Sequence, residues 1–318
     1  LTRKRMETID EEVLDKTEAF IKRAVEADTP FFVWFNATRM HVFTHLKEES
    51  AGKTGKGLYP DGMVEHDGHV GQLLDLLDEL QIADDTIVFY STDNGAEIFT
   101  WPDGGTTPFH GEKATTWEGG VRVPAAVRWP GKIPAGKVVN GIASHLDWAP
   151  TLLAAAGVPD IKEKLLEGHK AGDKTFKVHL DGYNMLDYFM SGGEGDGPRK
   201  EIFYFTDIGQ MSAVRHGDIK VHFMVQEGHG FDVWKQPYIP LGWPSMVNLR
   251  ADPFERAMHE SIGWADWSVQ RMYALSGAAV VATEFMKTFL DFPQRQQPGN
   301  FNVDAIMQQL EAARAAGQ

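Results

Sequence analysis

The sequence predicts an α/β fold, in which a mostly parallel sheet is flanked by helices and followed by a small carboxyl-terminal α+β subdomain. Helical and strand-like patterns alternate through the first half of the 318 residues, with spacers long enough for crossover connections. Beyond about residue 178, short strand-like runs are joined by turns that contain Gly or Asp, which favours a small antiparallel sheet. We therefore divide the chain into residues 1–177, part of the α/β domain, and residues 178–318, the smaller subdomain.

The first three predicted elements are two long helices with a strand between them. Residues 8–27 carry apolar side chains at helical spacing and acidic residues in the first turn, which predicts an amphipathic helix. Residues 30–35, Pro-Phe-Phe-Val-Trp-Phe, form a continuous apolar run whose aromatic content predicts a strand buried on both faces. Residues 63–80 place apolar side chains on one helical stripe and predict a second long helix.

The later elements of the first half are shorter. Strands are predicted at residues 86–90 and 125–129. A helix is predicted at residues 151–156, because Asp147 supplies a starting signal just before it. Residues 161–177 are polar and are interpreted as a linker or loop.

The second half predicts a strand-rich subdomain that ends in helices. The predicted helices occupy residues 269–292 and 303–316. The strand-like runs are residues 201–205, 211–215, 220–225 and 246–249.

Charge and composition exclude several partners and sites. The net charge of −14 argues against nucleic acid or an anionic membrane surface as the main partner. No apolar run reaches the roughly 18 residues that a membrane helix needs, so we expect no membrane span. The absence of cysteine excludes disulfides, thiolate metal sites and a cysteine nucleophile from this chain. The chain opens at Leu1 in a polar segment, from which we expect it to be part of a longer protein.

The most informative stretch is Ser-Thr-Asp-Asn-Gly at residues 91–95. Asp93 and Asn94 follow the predicted strand at residues 86–90, and the carboxyl ends of parallel strands form the ligand crevice of an α/β sheet. Two adjacent oxygen-bearing side chains can share a hard divalent cation there, although such an ion needs further ligands from elsewhere. The same Asp-Asn-Gly sequence is also a common turn, so the motif alone leaves both interpretations open.

A lysine follows in a glycine-flanked loop. Residues 111–120 read Gly-Glu-Lys-Ala-Thr-Thr-Trp-Glu-Gly-Gly, which allows close approach of the backbone and supplies hydroxyl and amide groups that can orient an oxyanion. Lys113 would add an ammonium beside the cation, a combination that suits the oxygens of a sulfate or phosphate ester. A lysine in such a loop can equally be an idle surface residue.

These blocks together resemble the sulfatase family, in particular the arylsulfatases, within the alkaline phosphatase superfamily. The block at residues 108–124 around Lys113 is the most specific, and Trp-Pro-Gly-Lys-Ile at residues 129–133 continues it. The resemblance covers nearly the whole chain and implies the carboxyl-terminal portion of an alkaline-phosphatase-like catalytic domain, followed by the small subdomain. Further segments agree with the family in the same order at residues 31–45, 144–157, 181–186 and 248–255.

The resemblance implies a calcium site and a catalytic lysine. Asp93 and Asn94 match two calcium ligands of the family. Lys113 matches the lysine that contacts the sulfate and the leaving-group oxygen.

Three further residues match the family's substrate side. His41 resembles the active-site histidine that helps to protonate the departing alcohol, although its approach is longer than the Ala-Pro-His common in the family. His45 and Arg39 are candidates for the lining of the substrate pocket.

The other histidines receive a structural interpretation. His66 and His69 lie with Glu65 on the helix predicted at residues 63–80, where their spacing can bind metal but ordinary polar helix positions are favoured. His110 stands where the family often has arginine, and no role follows from it. No partner pattern surrounds His216, His222, His229 and His259.

Several parts that the family uses are missing from this chain. The family's nucleophile is a formylglycine made from the Cys or Ser of a Cys/Ser-x-Pro-x-Arg motif, and no such motif occurs here. The Asp-Asp pair that completes the calcium site is missing too, together with the lysine and histidine that follow the nucleophile. We therefore expect the chain to be inactive alone, and an amino-terminal half or an oligomer partner to complete it.

The resemblance implies hydrolysis of a sulfate monoester, carried by a small molecule or a glycan, with calcium as cofactor. Two alternatives stay open: a phosphonate monoester or phosphodiester hydrolase of the same superfamily, and an incomplete fragment that acts only with its amino-terminal half. The compartment does not follow from the sequence. Because members of the family are often exported, the resemblance points to the periplasm or to secretion.

Overall fold

The computed structural model describes residues 2–295 and residue 314. The chain divides into two compact units, of which the first comprises Leu1–Thr107 with Val123–Gly136 and the second comprises Pro108–Arg122 with Lys137–Gln318. The predicted segments 1–177 and 178–318 refer to domains of a longer protein, so that division stays a prediction.

Two long helices form the core of the first unit. After the short α1, Arg3–Met6, helix α2 spans Ile9–Glu26 and α3 spans Leu58–Glu79, which confirms both predicted helices. Helix α3 begins earlier than predicted because Pro60 lies in its first turn, where a backbone donor is not needed. The facing stripes bury Leu14, Ile21, Leu76 and Leu77.

The strands of the first unit differ from the prediction. Strands β1, Val88–Ser91, and β2, Ala125–Arg128, both predicted, pair antiparallel, and every strand pair among the described residues is antiparallel. The prediction of a strand at residues 30–35 buried on both faces is wrong for this structure. No strand is assigned there, and Phe32 and Trp34 are 70% and 79% exposed. An extended run becomes a strand only when neighbours bind its backbone, and the described chain offers none.

The second unit begins with short helices. They are α4, Glu118–Val121; α5, Trp148–Ala155, close to its predicted position; α6, Ile161–Glu167; and α7, Leu186–Met190.

The prediction of a linker or loop at residues 161–177 is wrong. Helix α6 forms because Ile161 and Leu165, one helical turn apart, are both buried. A hairpin of β3, His169–Ala171, and β4, Lys174–Phe176, follows, and Gly172 supplies the positive φ of +59° that its turn requires.

A four-stranded antiparallel sheet confirms the predicted small sheet. Its strands lie in chain order: β5, Glu201–Phe205; β6, Met211–His216; β7, Ile219–Val225; and β8, Ile239–Asn248. Strand β8 is longer than predicted, since it begins before residue 246.

Helices complete the second unit. After α8, Ala257–Glu260, and α9, Trp264–Val269, the long helix α10 spans Tyr273–Asp291, within the predicted range 269–292. Val221, Met246 and Ala278 form a buried cluster that joins α10 to the sheet. The helix predicted at residues 303–316 lies outside the described residues apart from residue 314. Among the described helices, none combines the length and apolar character needed to cross a membrane.

Candidate active site

Lys113 lies half-buried in a tight turn of the second unit. The backbone has φ of +77° at Gly111 and +74° at Ala114, on either side of the lysine segment. The Thr115 amide donates to the Glu112 carbonyl at 3.0 Å, and the Thr115 hydroxyl donates to the same oxygen at 2.7 Å. The turn therefore fixes where the lysine side chain leaves the backbone.

Two glycines close the loop against itself. A Cβ atom on Gly119 would lie 2.3 Å from the Gly111 carbonyl oxygen, and one on Gly120 would lie 2.3 Å from the Thr115 carbonyl oxygen. Both distances are far below van der Waals contact. The Gly-Gly pair of the motif thus serves the close backbone approach that its sequence suggested.

A buried network of charged side chains binds the backbone of the Lys113 loop at Thr116 and Glu118. Lys220 Nζ donates to the Thr116 carbonyl at 2.8 Å and lies 3.1 Å from Glu118 Oε1 and 3.0 Å from Glu255 Oε1. Glu255 also accepts from the Glu118 amide at 2.6 Å and contacts His222 Nε2 at 2.9 Å. Because these side chains are buried, the network positions the loop and does not itself meet a substrate.

Burial and the neighbouring polar groups together set the protonation of this network. Burial lowers the pKa of His222 from 6.5 to about 4, so the imidazole is neutral at neutral pH. Burial alone would raise the pKa of Glu255, but Lys220 and the hydrogen bond from His222 outweigh it and lower that pKa from 4.5 to about 2. Lys220 thus lies beside a carboxylate that is charged at neutral pH.

Trp117 ties the loop to the connection that follows β7. Its buried ring donates through Nε1 to the Gln226 carbonyl at 2.7 Å and packs edge-on against His110, with ring centroids 4.5 Å apart. Glu112 accepts from the Gly230 amide at 2.8 Å and contacts His229 Nδ1 at 2.9 Å. The lysine loop is therefore held on both sides of Lys113.

The network was missed from the sequence, although two signals point to it. Lys220 is a charged residue inside the apolar strand β7, where the neighbouring Val221 is buried and Ile219 is half-buried. Glu255 closes the Asp-Pro-Phe-Glu segment, which carried the family resemblance without an assigned role. Pairing across more than a hundred residues could not be read from either position.

Asp93 and Asn94 lie in a bend directly after β1 in the first unit. The Asp93 carboxylate is exposed, and Asn94 Nδ2 donates to the Gly95 carbonyl at 2.8 Å, which leaves Oδ1 as the atom that would bind a cation. Carboxylate and amide oxygens are ligands that fit calcium, and this pair would supply two of the six to eight that it takes. The donor chemistry therefore fits a partial calcium site.

The three residues predicted on the substrate side lie in the first unit with different surroundings. His41 is exposed, whereas His45 is half-buried, and its Nε2 atom is buried without a hydrogen-bond partner in the described structure. Arg39 is fully buried, 2.7 Å from Glu65 Oε1 and 3.7 Å from Asp10 Oδ2. The Arg39 guanidinium joins α2 to α3, so its surroundings favour a structural role over substrate binding.

Lys113 belongs to the second unit, and the other predicted site residues belong to the first. The convergence of Asp93 and Lys113 on one anion therefore stays a prediction.

The fold is shared with solved structures, one of which is a sulfatase. The PsFucS1 sulfatase from Pseudoalteromonas sp. matches with a TM-score of 0.75 and 24% identity, over 93% of this chain and 56% of that one. A second structure, Ps i-CgsB, matches with a TM-score of 0.67 and 23% identity, over 96% of this chain and 59% of that one. The helices, the two two-stranded sheets and the four-stranded sheet thus form part of a sulfatase-type fold.

Sequence comparison gives the family. The family model described as Sulfatase matches residues 2–158. N-acetylgalactosamine-6-sulfatase of Canis lupus familiaris is 35% identical over 206 residues, which cover 64% of this chain and 36% of that protein. Arylsulfatase A of Homo sapiens is 32% identical over 219 residues, which cover 67% of this chain and 40% of that protein. The chain belongs to the sulfatase family, and it spans less than half the length of these curated relatives.

Proposed function

We propose that the protein containing this chain hydrolyses sulfate monoesters of a small molecule or a glycan. The observation that carries the proposal is the loop of Lys113, where two positive-φ positions, two close-packed glycines and a buried ion network hold one lysine in a fixed place. A loop held this rigidly is expected where a lysine provides a preorganised cationic contact, because such a contact stabilises developing charge more than a mobile lysine does. Membership of the sulfatase family supports the choice of a sulfate oxygen as its target.

In this proposal the chain supplies charge and a proton. The Lys113 ammonium binds a sulfuryl oxygen and the leaving-group oxygen, where negative charge grows as the ester bond breaks. His41 donates a proton to the departing alkoxide. Asp93 and Asn94 would provide two of the ligands of a calcium ion, which would supply further positive charge to the sulfate oxygens.

Other parts of the proposed enzyme lie outside this chain. The nucleophile is a formylglycine, and the remaining calcium ligands are acidic residues of the amino-terminal half. The proposed catalytic domain also includes further strands that complete a mostly parallel sheet. The chain alone is accordingly expected to be inactive.

Substitution of the lysine tests the proposal. In the intact protein, Lys113→Ala should lower kcat/KM for nitrophenyl sulfate by about 10²- to 10³-fold, because one preorganised cationic contact is lost. Circular dichroism should show the fold unchanged. Lys170→Ala, which removes an exposed lysine of the β3–β4 hairpin in the same unit, should leave the rate unchanged. Wild-type turnover by Lys113→Ala would refute the assignment.

The choice of ester is decided by the same assay with a second substrate. A sulfatase should turn over nitrophenyl sulfate faster than a nitrophenyl phosphonate ester, since its pocket is matched to the sulfate monoester. The reverse order would identify a phosphonate monoester or phosphodiester hydrolase of the same superfamily. Activity of the isolated chain on either ester would contradict the proposal that the nucleophile lies outside this chain.

A further inference from the structure

We propose that His110, Glu227 and His259 form a binding site for a transition-metal ion of the Zn²⁺ class in the second unit. One ligand atom from each of the three side chains lies within 4.8 Å of the others. The rings of His110 and His259 have centroids 6.0 Å apart, so a small shift of the exposed His259 brings both imidazoles to one ion. The site uses none of the proposed calcium ligands, and it does not depend on the proposed function.

The three ligands stand on segments that the structure holds firmly. The ring of His110 packs against Trp117, and the Trp117 indole donates to the Gln226 carbonyl, directly before Glu227. One buried tryptophan therefore packs against one ligand and binds the backbone next to a second. His259 lies in α8, whose first amide, that of Ala257, donates to Asp252 Oδ2 at 2.7 Å.

The donor set suits zinc better than calcium. Two imidazoles and one carboxylate are a common set for Zn²⁺ with an open position for water, whereas calcium prefers oxygen ligands alone. Glu227 and His259 are exposed, so an ion can enter from solvent.

The charge around the site is negative overall. The three ligands line a cavity of about 430 Å³ together with Arg256 and Glu260. The two carboxylates outweigh the single guanidinium, and Glu260 offers a further oxygen on the same wall.

A second cluster among the described residues is a weaker candidate. Glu11, Glu65 and His69 also bring ligand atoms together in the first unit. Their carboxylates already face fixed cations, since Glu11 pairs with Lys47 and Glu65 pairs with Arg39. A divalent ion would have to displace these partners, so this cluster serves as an internal control.

Zinc titration of the chain tests the site. After treatment with a chelator and its removal, calorimetry in excess Ca²⁺ should show one Zn²⁺ bound per chain, and Co²⁺ should give the visible absorption of a site with nitrogen ligands. Loss of one ligand in His259→Ala or Glu227→Gln should weaken Zn²⁺ binding by about 10²-fold or more, since even loss of an outer partner costs 10- to 100-fold. His259 is exposed, so its removal should leave the fold intact.

Two control variants make the result decisive. His216→Ala removes an exposed histidine at the end of β6, and His69→Ala disables the competing cluster; both should bind Zn²⁺ like the parent chain. The proposal fails if no Zn²⁺ binds, if His259→Ala and Glu227→Gln bind it unchanged, or if His69→Ala alone loses it.

Discussion

At the scale of single residues, the unusual feature is a fully buried lysine that contacts two buried glutamates, one of which also binds a histidine. Breaking such a group by removing one partner leaves an uncompensated buried charge, which costs more than the intact group contributes. The network lies directly beneath the Lys113 loop, because Lys220 binds the Thr116 carbonyl and Glu255 binds the Glu118 amide. Its protonation therefore controls the stability of the loop.

The pKa of His222 predicts loss of stability in mild acid. The unfolded chain takes up this proton near pH 6.5 and the folded chain only near pH 4, so the unfolded state binds more protons between these values. The free energy of unfolding should fall by about 3 kcal/mol as the pH drops from 6.5 to 4. The lowered pKa of Glu255 extends the loss in the same direction from pH 4.5 towards 2. Urea unfolding at a series of pH values measures it.

A histidine variant separates this effect from the other titrating groups. His222→Gln should be less stable at pH 7, because it disturbs the Glu255 contact, yet its stability should depend less on pH between 6.5 and 4. His216→Gln, an exposed histidine of β6, should keep the full slope. An unchanged slope in His222→Gln would show that the acid sensitivity arises elsewhere.

The candidate site residues were found from the sequence because their chemistry is carried by short blocks. Asp93 and Asn94 are adjacent, and Lys113 is surrounded by glycines within ten residues. The supporting residues Lys220 and Glu255 could not be found this way, because a buried ion pair is defined by a partner far away in the chain. A charge inside an apolar strand shows that a partner is needed, without showing which one.

At the scale of elements, the close packing of α4 against the preceding loop predicts a strong effect of one methyl group. A Cβ atom on Gly119 would meet three backbone carbonyl oxygens at 2.3, 2.5 and 2.8 Å. Backbone atoms cannot move aside as a flexible side chain can, so Gly119→Ala should destabilise the chain by about 1–3 kcal/mol. It should also lower sulfatase activity of the intact protein, since the loop that carries Lys113 has to open.

Gly277 in α10 is the matched control in the same unit. A Cβ atom added to it would meet no other atom within 4 Å, and the residue is exposed in a helix interior. Gly277→Ala should therefore stabilise the chain by roughly 0.5–1 kcal/mol, the gain in helix propensity. Thermal and urea unfolding of both variants check the pair. Equal stability of the two variants would contradict the close packing at Gly119.

The elements differed in how far the sequence could predict them. Helix α2 was predictable because apolar side chains recur at helical spacing along its 18 residues, and this pattern specifies a helix with little help from its neighbours. Helix α6 was missed because its seven residues contain only two buried positions, too few for a clear period. The run at residues 30–35 was misjudged because its state depends on strands beside it, which are not local information.

At the scale of the whole molecule, residues 30–35 form an apolar surface on which Phe32 and Trp34 stay largely exposed in the described chain. Phe32 and Trp34 together expose far more aromatic area than a lone surface residue, and such patches mark interaction sites. The chain spans less than half of its curated relatives, so we expect further chain of the same protein to cover this run. The alternative cover is a second copy of this chain.

Thiol labelling distinguishes burial by further chain of the same protein from burial by a second copy. The chain contains no cysteine, so an introduced cysteine is its only thiol. In Phe32→Cys, the thiol should react quickly with a maleimide in the isolated chain. In the longer protein, with its own cysteines replaced, the same thiol should react at least about tenfold more slowly, because burial blocks access of the reagent. Val138→Cys, 81% exposed, should react quickly in both. Protection that rises with concentration of the isolated chain would identify a second copy as the cover. Equal rapid labelling in every form would show that the surface stays open, and the expected companion segment would have to be abandoned.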